Sequence, residues 1–553
     1  MISSGRRVRR LTVLLAGSVL VAGCSGVGVR PGTYPPATNL PGYSTPSPAV
    51  PSSNGQPPTG RPRTSGRGQP SSSPTSAQNG RPVRPVPNVK PRGFTNPPTG
   101  SGRQRYQDQH LQWSPCHQQM TCATVLVPLD WSRPDGQAIS LALAKRAASQ
   151  TPHLGSLFVN PGGPGGSGIG LAENFNRAGL ERYDIVGWDP RGAGESTPVR
   201  CDNGPALDAY YATDVSPDTP AEDAALLRAN KEFGQSCLAA SGALLEHIST
   251  LETVKDVELL RQLLGDRRFN FVGYSYGTEI GAVYAATYPA KVGRMVLDGA
   301  VDISNGRTVS QAQGFDRSLG DFAQWCAEAR CGLGSSKAEV LTTITGLLSG
   351  LDRKPLSIGN RELTQSLGLV GIIYPLYFGQ RAYPDLADAI RRALSGQGAP
   401  LLSASDRYSD RAPNGQYGPT STSFIAISCT KPGDGVVAAR RAATAAAKDA
   451  PTLGPFIGVD YSCAEWPVPP APALPRITAP GAAPIVVVGT TGDPATPYEY
   501  AVDMTKQLSS AVLLTYQGEG HTVFGNGKSS CIDAMVVDYL ADGAVPADGT
   551  RCS

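Results

Sequence analysis

Residues 1–105 contain no aspartate and no glutamate. The same stretch holds 14 of the 49 lysines and arginines, so the 35 basic residues that follow face 45 acidic ones, a formal −10. An acidic body behind a basic tail argues against a nucleic-acid-binding domain. Histidine is scarce, with five in 553 residues. Neither a histidine cluster nor a Cys-x-x-Cys pair is present, so nothing in the sequence calls for a metal or another cofactor. The apolar run Leu11 to Ala22 is too short to cross a membrane as a mature helix.

What the amino-terminal region does carry is the layout of an export signal. Arg6, Arg7, Arg9 and Arg10 precede the apolar run, which ends Leu20-Val21-Ala22-Gly23-Cys24-Ser25, like a bacterial lipobox. Residues 1–23 read as a lipoprotein signal peptide and Cys24 as the lipid anchor, placing the protein on the cell membrane and facing the envelope exterior. The blander reading is a plain secretory signal with an incidental cysteine. Residues 24–105 are rich in Pro, Ser, Gly, Thr and Arg. They hold too little apolar surface to offset the entropy of ordering, so they read as a disordered tether. Its positive charge suits anionic cell-wall polymers or lipid headgroups, although a mere spacer explains it as well. Without Cys24, ten cysteines remain. In an exported chain, spacing suggests the pairs Cys116–Cys122, Cys201–Cys237, Cys326–Cys331, Cys429–Cys463 and Cys531–Cys552. Disulfides fit the general secretory route better than the twin-arginine route that the doubled arginines also suggest.

Beyond residue 105 the pattern alternates between strands and helices. Ala123–Pro128 and Ile139–Ala144 read as the first strands. A buried strand then runs into Asn160-Pro161-Gly162-Gly163-Pro164-Gly165-Gly166-Ser167-Gly168. A phosphate-binding loop is the competing reading, but no Gly-Lys-Ser/Thr follows. The strand Tyr183–Trp188 leads to Asp189-Pro190-Arg191-Gly192, where Asp189 and Arg191 read as structural, pairing within their loop. Asp256–Leu264 reads as an amphipathic helix. Phe269-Asn270-Phe271-Val272 then passes through Gly273-Tyr274-Ser275-Tyr276-Gly277 into a helical stretch. A strand that turns sharply into a helix at Gly-x-Ser-x-Gly is the nucleophile elbow of an α/β-hydrolase. Such a turn exposes the Ser275 hydroxyl above the positive end of the helix dipole.

The partners follow in the order this fold requires. Asp493, in Gly492-Asp493-Pro494-Ala495-Thr496-Pro497, and His521, in Gly520-His521, each come directly after a predicted strand. Ser275 is assigned as nucleophile, His521 as general base and acid, and Asp493 as the group that orients the imidazole. Alone, Asp493 is a turn residue before proline and His521 a loop histidine; three matches in order make coincidence a poor account. Asp298, at another strand end, ranks below Asp493 as a rival acid, and Thr496 is expected to support the aspartate loop. Gly163 N–H and Tyr276 N–H are the expected oxyanion donors. The domain plan is a hydrolase core over 106–303, an inserted, mainly helical cap over 304–480, and the end of the core over 481–553.

Taken together, these motifs resemble the secreted actinobacterial tripeptidyl aminopeptidases, relatives of prolyl aminopeptidase within the α/β-hydrolases. The likeness runs over about residues 110–553 and is strongest to mycobacterial envelope lipoproteins of that type. It implies a serine exopeptidase acting on peptides or proteins, with a cap that narrows access. It also implies acidic groups near the cap that hold the substrate ammonium. Lys431 stands where an acid is expected after Cys429, leaving Asp434 and Glu465 as the candidates; Glu279 reads as a solvated helix position. The alternatives are a carboxylesterase or lipase acting on envelope acyl esters, and a non-catalytic wall-binding lipoprotein.

Overall fold

The computed structural model describes residues 93–304, 309–431 and 435–553. The lipobox with Cys24, nearly all of the tether, and Asp434 lie outside the described residues. One mixed sheet organises the rest. Its strands are β1 (Phe94–Thr95), β2 (Ser114–Cys116), β3 (Met120–Pro128), β4 (Ala138–Arg146), β5 (Ser156–Asn160), β6 (Asp184–Trp188), β7 (Phe269–Tyr274) and β8 (Val292–Asp298). A separate hairpin, β9 (Leu356–Ile358) and β10 (Arg361–Leu363), lies within the segment that follows. The sheet then resumes with β11 (Ile485–Gly492), β12 (Ala511–Glu519) and β13 (Thr550–Cys552). The spatial order is β13-β12-β11-β8-β7-β5-β6-β4-β3-β2, with β1 also on β4. Neighbours from β13 to β6 are parallel, and the remaining pairs are antiparallel.

Alternate residues of the parallel strands enter two different cores, as a sheet covered on both faces requires. Phe158, Phe271, Leu297 and Val487 pack on one face against the helices Thr250–Leu263 and Tyr276–Thr287. Val159, Val272, Val296 and Val488 pack on the other against Gly168–Asn174 and Ser530–Asp542. After β5 the chain adds β6 on one side, then crosses back to add β7 on the other. Such a reversal opens a crevice at the carboxyl ends of the two strands flanking it, here β5 and β7.

Between β8 and β11 the described chain is mainly helical, with helices at Gln311–Ala329 and Tyr383–Leu394 as the sequence indicates. This insertion has its own apolar core, built on Phe322, Ile344, Ile372 and Leu386. Its last part, including Ile425, Ala426 and Ile477, joins the core of the sheet instead. The cysteines are joined as Cys116–Cys122, Cys201–Cys237, Cys326–Cys331, Cys429–Cys463 and Cys531–Cys552. Among the described residues no helix is long and apolar enough to cross a membrane.

Arg191 corrects one expectation. It does not pair within its loop. Its guanidinium reaches the helix Thr250–Leu263 and grips Asp256 through two bonds, Nε–Oδ2 at 2.7 Å and Nη2–Oδ1 at 2.6 Å. Both residues are fully buried, and Trp131 Nε1 donates to the same carboxylate. Asp189 turns the other way, accepting from Ser167 Oγ at 2.7 Å and Glu195 N at 2.7 Å. The sequence shows that the two residues are polar neighbours on a turn; the partners lie too far along the chain to be read from it. Asp256→Ala leaves the buried Arg191 charge with only a 3.4 Å contact to Glu252 as its remaining ion pair. Denaturant unfolding with the disulfides intact is expected to show a loss of about 3–5 kcal/mol; a loss below about 1 kcal/mol would contradict the pairing.

Candidate active site

The site begins where β7 ends. Ser275 has φ 54° and ψ −126°, a conformation that non-glycine residues adopt only when their surroundings enforce it, at a cost of about 1–3 kcal/mol. The surroundings here are close. Ser275 N donates to Asp298 O at 3.0 Å, while Ser275 O accepts from Thr278 N at 2.8 Å and from Thr278 Oγ1 at 2.6 Å. A Cβ on Gly273 would lie 2.5 Å from Gly277 O, and one on Gly277 2.9 Å from Asn160 O, so the motif glycines are required by close packing.

The glycine loop after β5 lies directly against this turn. A Cβ on Gly162 would lie 2.4 Å from Tyr274 O, 2.7 Å from Tyr276 N and 3.0 Å from Ser275 Cβ. Tyr276 is the first residue of its helix, so its N–H has no partner within that helix. Ser167 ends the loop, caps the next helix by accepting from Gly170 N at 3.0 Å, and is tied to Asp189. Gly165 packs on Ser423 of the insertion, which hydrogen-bonds back to Gly192 O at 2.6 Å.

The acid and the imidazole meet at the neighbouring strand ends. His521 Nδ1 lies 2.9 Å and 3.0 Å from the two carboxylate oxygens of Asp493. Asp493 Oδ1 accepts from Ala495 N at 2.9 Å and Thr496 N at 2.8 Å, and Oδ2 accepts from Thr496 Oγ1 at 3.0 Å. This buried carboxylate is therefore held in one rotamer, and Thr496 supports its loop as expected. His521 Nε2 is buried without a hydrogen bond among the described residues, so no bond joins it to Ser275 in this state. The two are nonetheless neighbours of one turn. Ser275 N is bonded to Asp298 O, and a Cβ on Gly299 would lie 3.0 Å from His521 Cε1. The insertion also reaches the imidazole: His521 N donates to Tyr377 O at 2.8 Å, and the Tyr377 ring meets the imidazole edge-on at 5.5 Å.

Other expectations are placed differently. Glu279 is not solvated. It is 2% exposed, accepting from Thr250 Oγ1 at 2.8 Å and from Lys431 Nζ at 2.6 Å. No local pattern signals this pairing, because the cation comes from 152 residues away in the insertion. Glu465 is half-buried with no hydrogen bond or ion pair to described residues. It follows Cys463, which is bonded to Cys429 at the end of the helix Thr420–Ser428. Two clusters among the described residues have metal-like spacing, Cys116/His117/Cys122 and Asp130/His247/Glu252. The sulfurs of the first form a disulfide, and the carboxylates of the second are already engaged by Arg133, Arg191 and Lys255. A cleft of about 770 Å³ lined by Arg267, Arg268 and Arg294 sits at the opposite, amino-terminal edge of the parallel strands, away from this chemistry.

The TAP-like protein family matches residues 450–552, the segment that carries Asp493 and His521. Serine protease Hip1 of Mycobacterium tuberculosis is 34% identical over 479 residues, covering 80% of this chain and 91% of its own. The chain belongs to the TAP-like family of α/β-hydrolases. Carboxylesterase B of Mycobacterium tuberculosis is 36% identical, covering 78% of this chain and 86% of its own. Tripeptidyl aminopeptidase of Streptomyces lividans is 30% identical, covering 78% and 83%. This TAP-like protein is a serine hydrolase. A methyl group at position 162 tests the packing of its site. Gly162→Ala is expected to slow fluorophosphonate labelling about 100-fold, as loss of an oxyanion donor does; an unchanged rate would separate the glycine loop from catalysis.

Proposed function

We propose that this chain is an exported serine exopeptidase that releases short peptides, tripeptides or similar, from peptide N-termini. The observation that carries the reading is the Asp493–His521 pair held beside the strained turn at Ser275. In this scheme His521 takes the Ser275 proton as the hydroxyl attacks the scissile carbonyl. Gly163 N–H and Tyr276 N–H hold the oxyanion. His521 then protonates the departing amine; water next attacks the acyl-enzyme, giving a proton to His521, which passes it to Ser275 Oγ as the ester bond breaks. Asp493 fixes the tautomer and stabilises the imidazolium. The absence of a Ser275–His521 hydrogen bond fits this scheme, since such bonds often form or tighten only with substrate bound.

The relatives named serine protease and tripeptidyl aminopeptidase support the peptidase reading. Asp434 and Glu465 are the proposed partners of the substrate ammonium. The relative named carboxylesterase B favours a second reading, hydrolysis of acyl esters by the same three residues. The lipobox supports export and anchoring through Cys24 on the cell membrane, with the basic tether reaching toward anionic wall polymers.

A panel of tripeptide amides and short acyl esters separates the two enzymatic readings. Amide turnover at least comparable to ester turnover is expected, and ester-only turnover would sink the peptidase. Ser275→Ala is expected to lower either activity about 10⁴-fold or more and to abolish fluorophosphonate labelling. Cys24→Ala is expected to move the protein from the membrane to the soluble fraction.

A further inference from the structure

Two charged side chains flank the histidine loop and take no part in the scheme above. Asp298, at the end of β8, is fully buried. Its Oδ2 accepts the N–H groups of Val523 and Phe524, both at 2.8 Å, while its Oδ1 has no hydrogen-bond partner among the described residues. Its own carbonyl accepts from Ser275 N. On the other side, Lys528 donates Nζ to His521 O at 3.0 Å. Between these anchors Thr522 is held at φ 56°, a conformation that β-branched residues avoid, with its hydroxyl bonded to Asn526 Nδ2 at 2.9 Å. A single residue thus touches the serine turn through its backbone and the histidine loop through its side chain.

Holding two N–H groups on one oxygen does not require a charge. A neutral amide would accept both without burying an unpartnered carboxylate oxygen, which is costly. Burial raises the Asp298 carboxyl to about 6 and lowers the Lys528 ammonium to about 8, so both remain mostly charged at neutral pH despite that penalty. The other titratable and charged groups around the loop are already committed. Asp493 bonds the imidazole, Tyr377 packs on it, Glu519 is held by Tyr383 and Gln380, Arg381 caps Asn526 O, Tyr274 donates to Phe524 O, and Asp533 accepts from Gly525 N.

We propose that Asp298 and Lys528 are positioning residues for His521, clamping its loop from two sides and acting on its protonation in opposite senses. The proposal rests on the triad reading. The carboxylate favours the imidazolium and the ammonium disfavours it. Removing the negative charge therefore moves the acid limb of the rate profile to lower pH, and removing the positive charge moves it to higher pH.

The test is the rate of fluorophosphonate labelling of the full chain between about pH 5 and about pH 8.5, where an imidazole base controls such profiles. Asp298→Asn keeps the acceptor oxygen and removes the charge. Its limb is expected to fall by about half a unit, because the native carboxyl itself protonates in the same range. Lys528→Met is expected to raise the limb by about one unit, a roughly tenfold slower rate at a pH on the limb. Lys528→Arg is expected to follow the wild type, and the double charge-removed variant to return toward it. A merely structural role would lower the rate at every pH and leave the limb in place. Unmoved limbs, or shifts of the same sign in both variants, would overturn the proposal while labelling still depends on Ser275. Labelling that survives Ser275→Ala would instead remove the triad reading and this proposal with it. Should Asp298→Asn fail to fold, the Lys528 pair decides: a raised limb in Met but not Arg supports the proposal, and none overturns it.

Discussion

The site depends on one steric constraint, the approach of the Gly162 backbone to the turn at Ser275. At that distance no side chain fits, and both segments lose most of their freedom. β5 and β7 are neighbours because the chain reverses its direction of growth between them, so their carboxyl ends open onto one crevice. The glycine loop from one strand and the serine from the other are therefore set by the same backbone contact. Ser167, bonded to Asp189, fastens the far end of the loop to the strand on the other side. The strain at Ser275 is sustained by neighbours on three sides: Asp298 O, the Thr278 amide and hydroxyl, and the glycines.

His521 belongs to a second frame. Its strand, β12, lies two positions beyond β8, and Asp493 comes from β11 between them. Asp298 links the frames, because its carbonyl meets the serine turn and its carboxylate meets the histidine loop. The insertion adds a third support. Tyr377 accepts from the His521 amide, Tyr383 and Gln380 hold Glu519 at the end of β12, and Ser423 packs on the glycine loop. Any movement of the insertion would therefore be felt by the imidazole and by the glycine loop together. The buried His521 Nε2, which has no hydrogen bond among the described residues, belongs to the loop these supports hold.

The parts readable from the chain alone were those in which a local rule leaves few options. A Gly-x-Ser-x-Gly sequence between an apolar run and a helix has one common use, and an acid and a histidine follow later strands in the order that use requires. Helices such as Gln311–Ala329 and Tyr383–Leu394 carry a strong apolar stripe, so their bounds follow from periodicity. The short strands β1, β2 and β13 and the hairpin β9–β10 carry too few residues for a period to show.

Residue types and their spacing determined the hydrolase class, the strand-end positions of Ser275, Asp493 and His521, and the need for glycine in the loop after β5. Tertiary structure decided which charges meet. Arg191 found Asp256 instead of its own loop, Glu279 was buried beneath a lysine 152 positions away, and Asp298 and Lys528 closed on the histidine loop. The reason is one of range. Backbone sterics and side-chain periodicity act over a few residues and leave a mark in the sequence, whereas an ion pair between distant segments exists only after packing has excluded water and brought its two halves together.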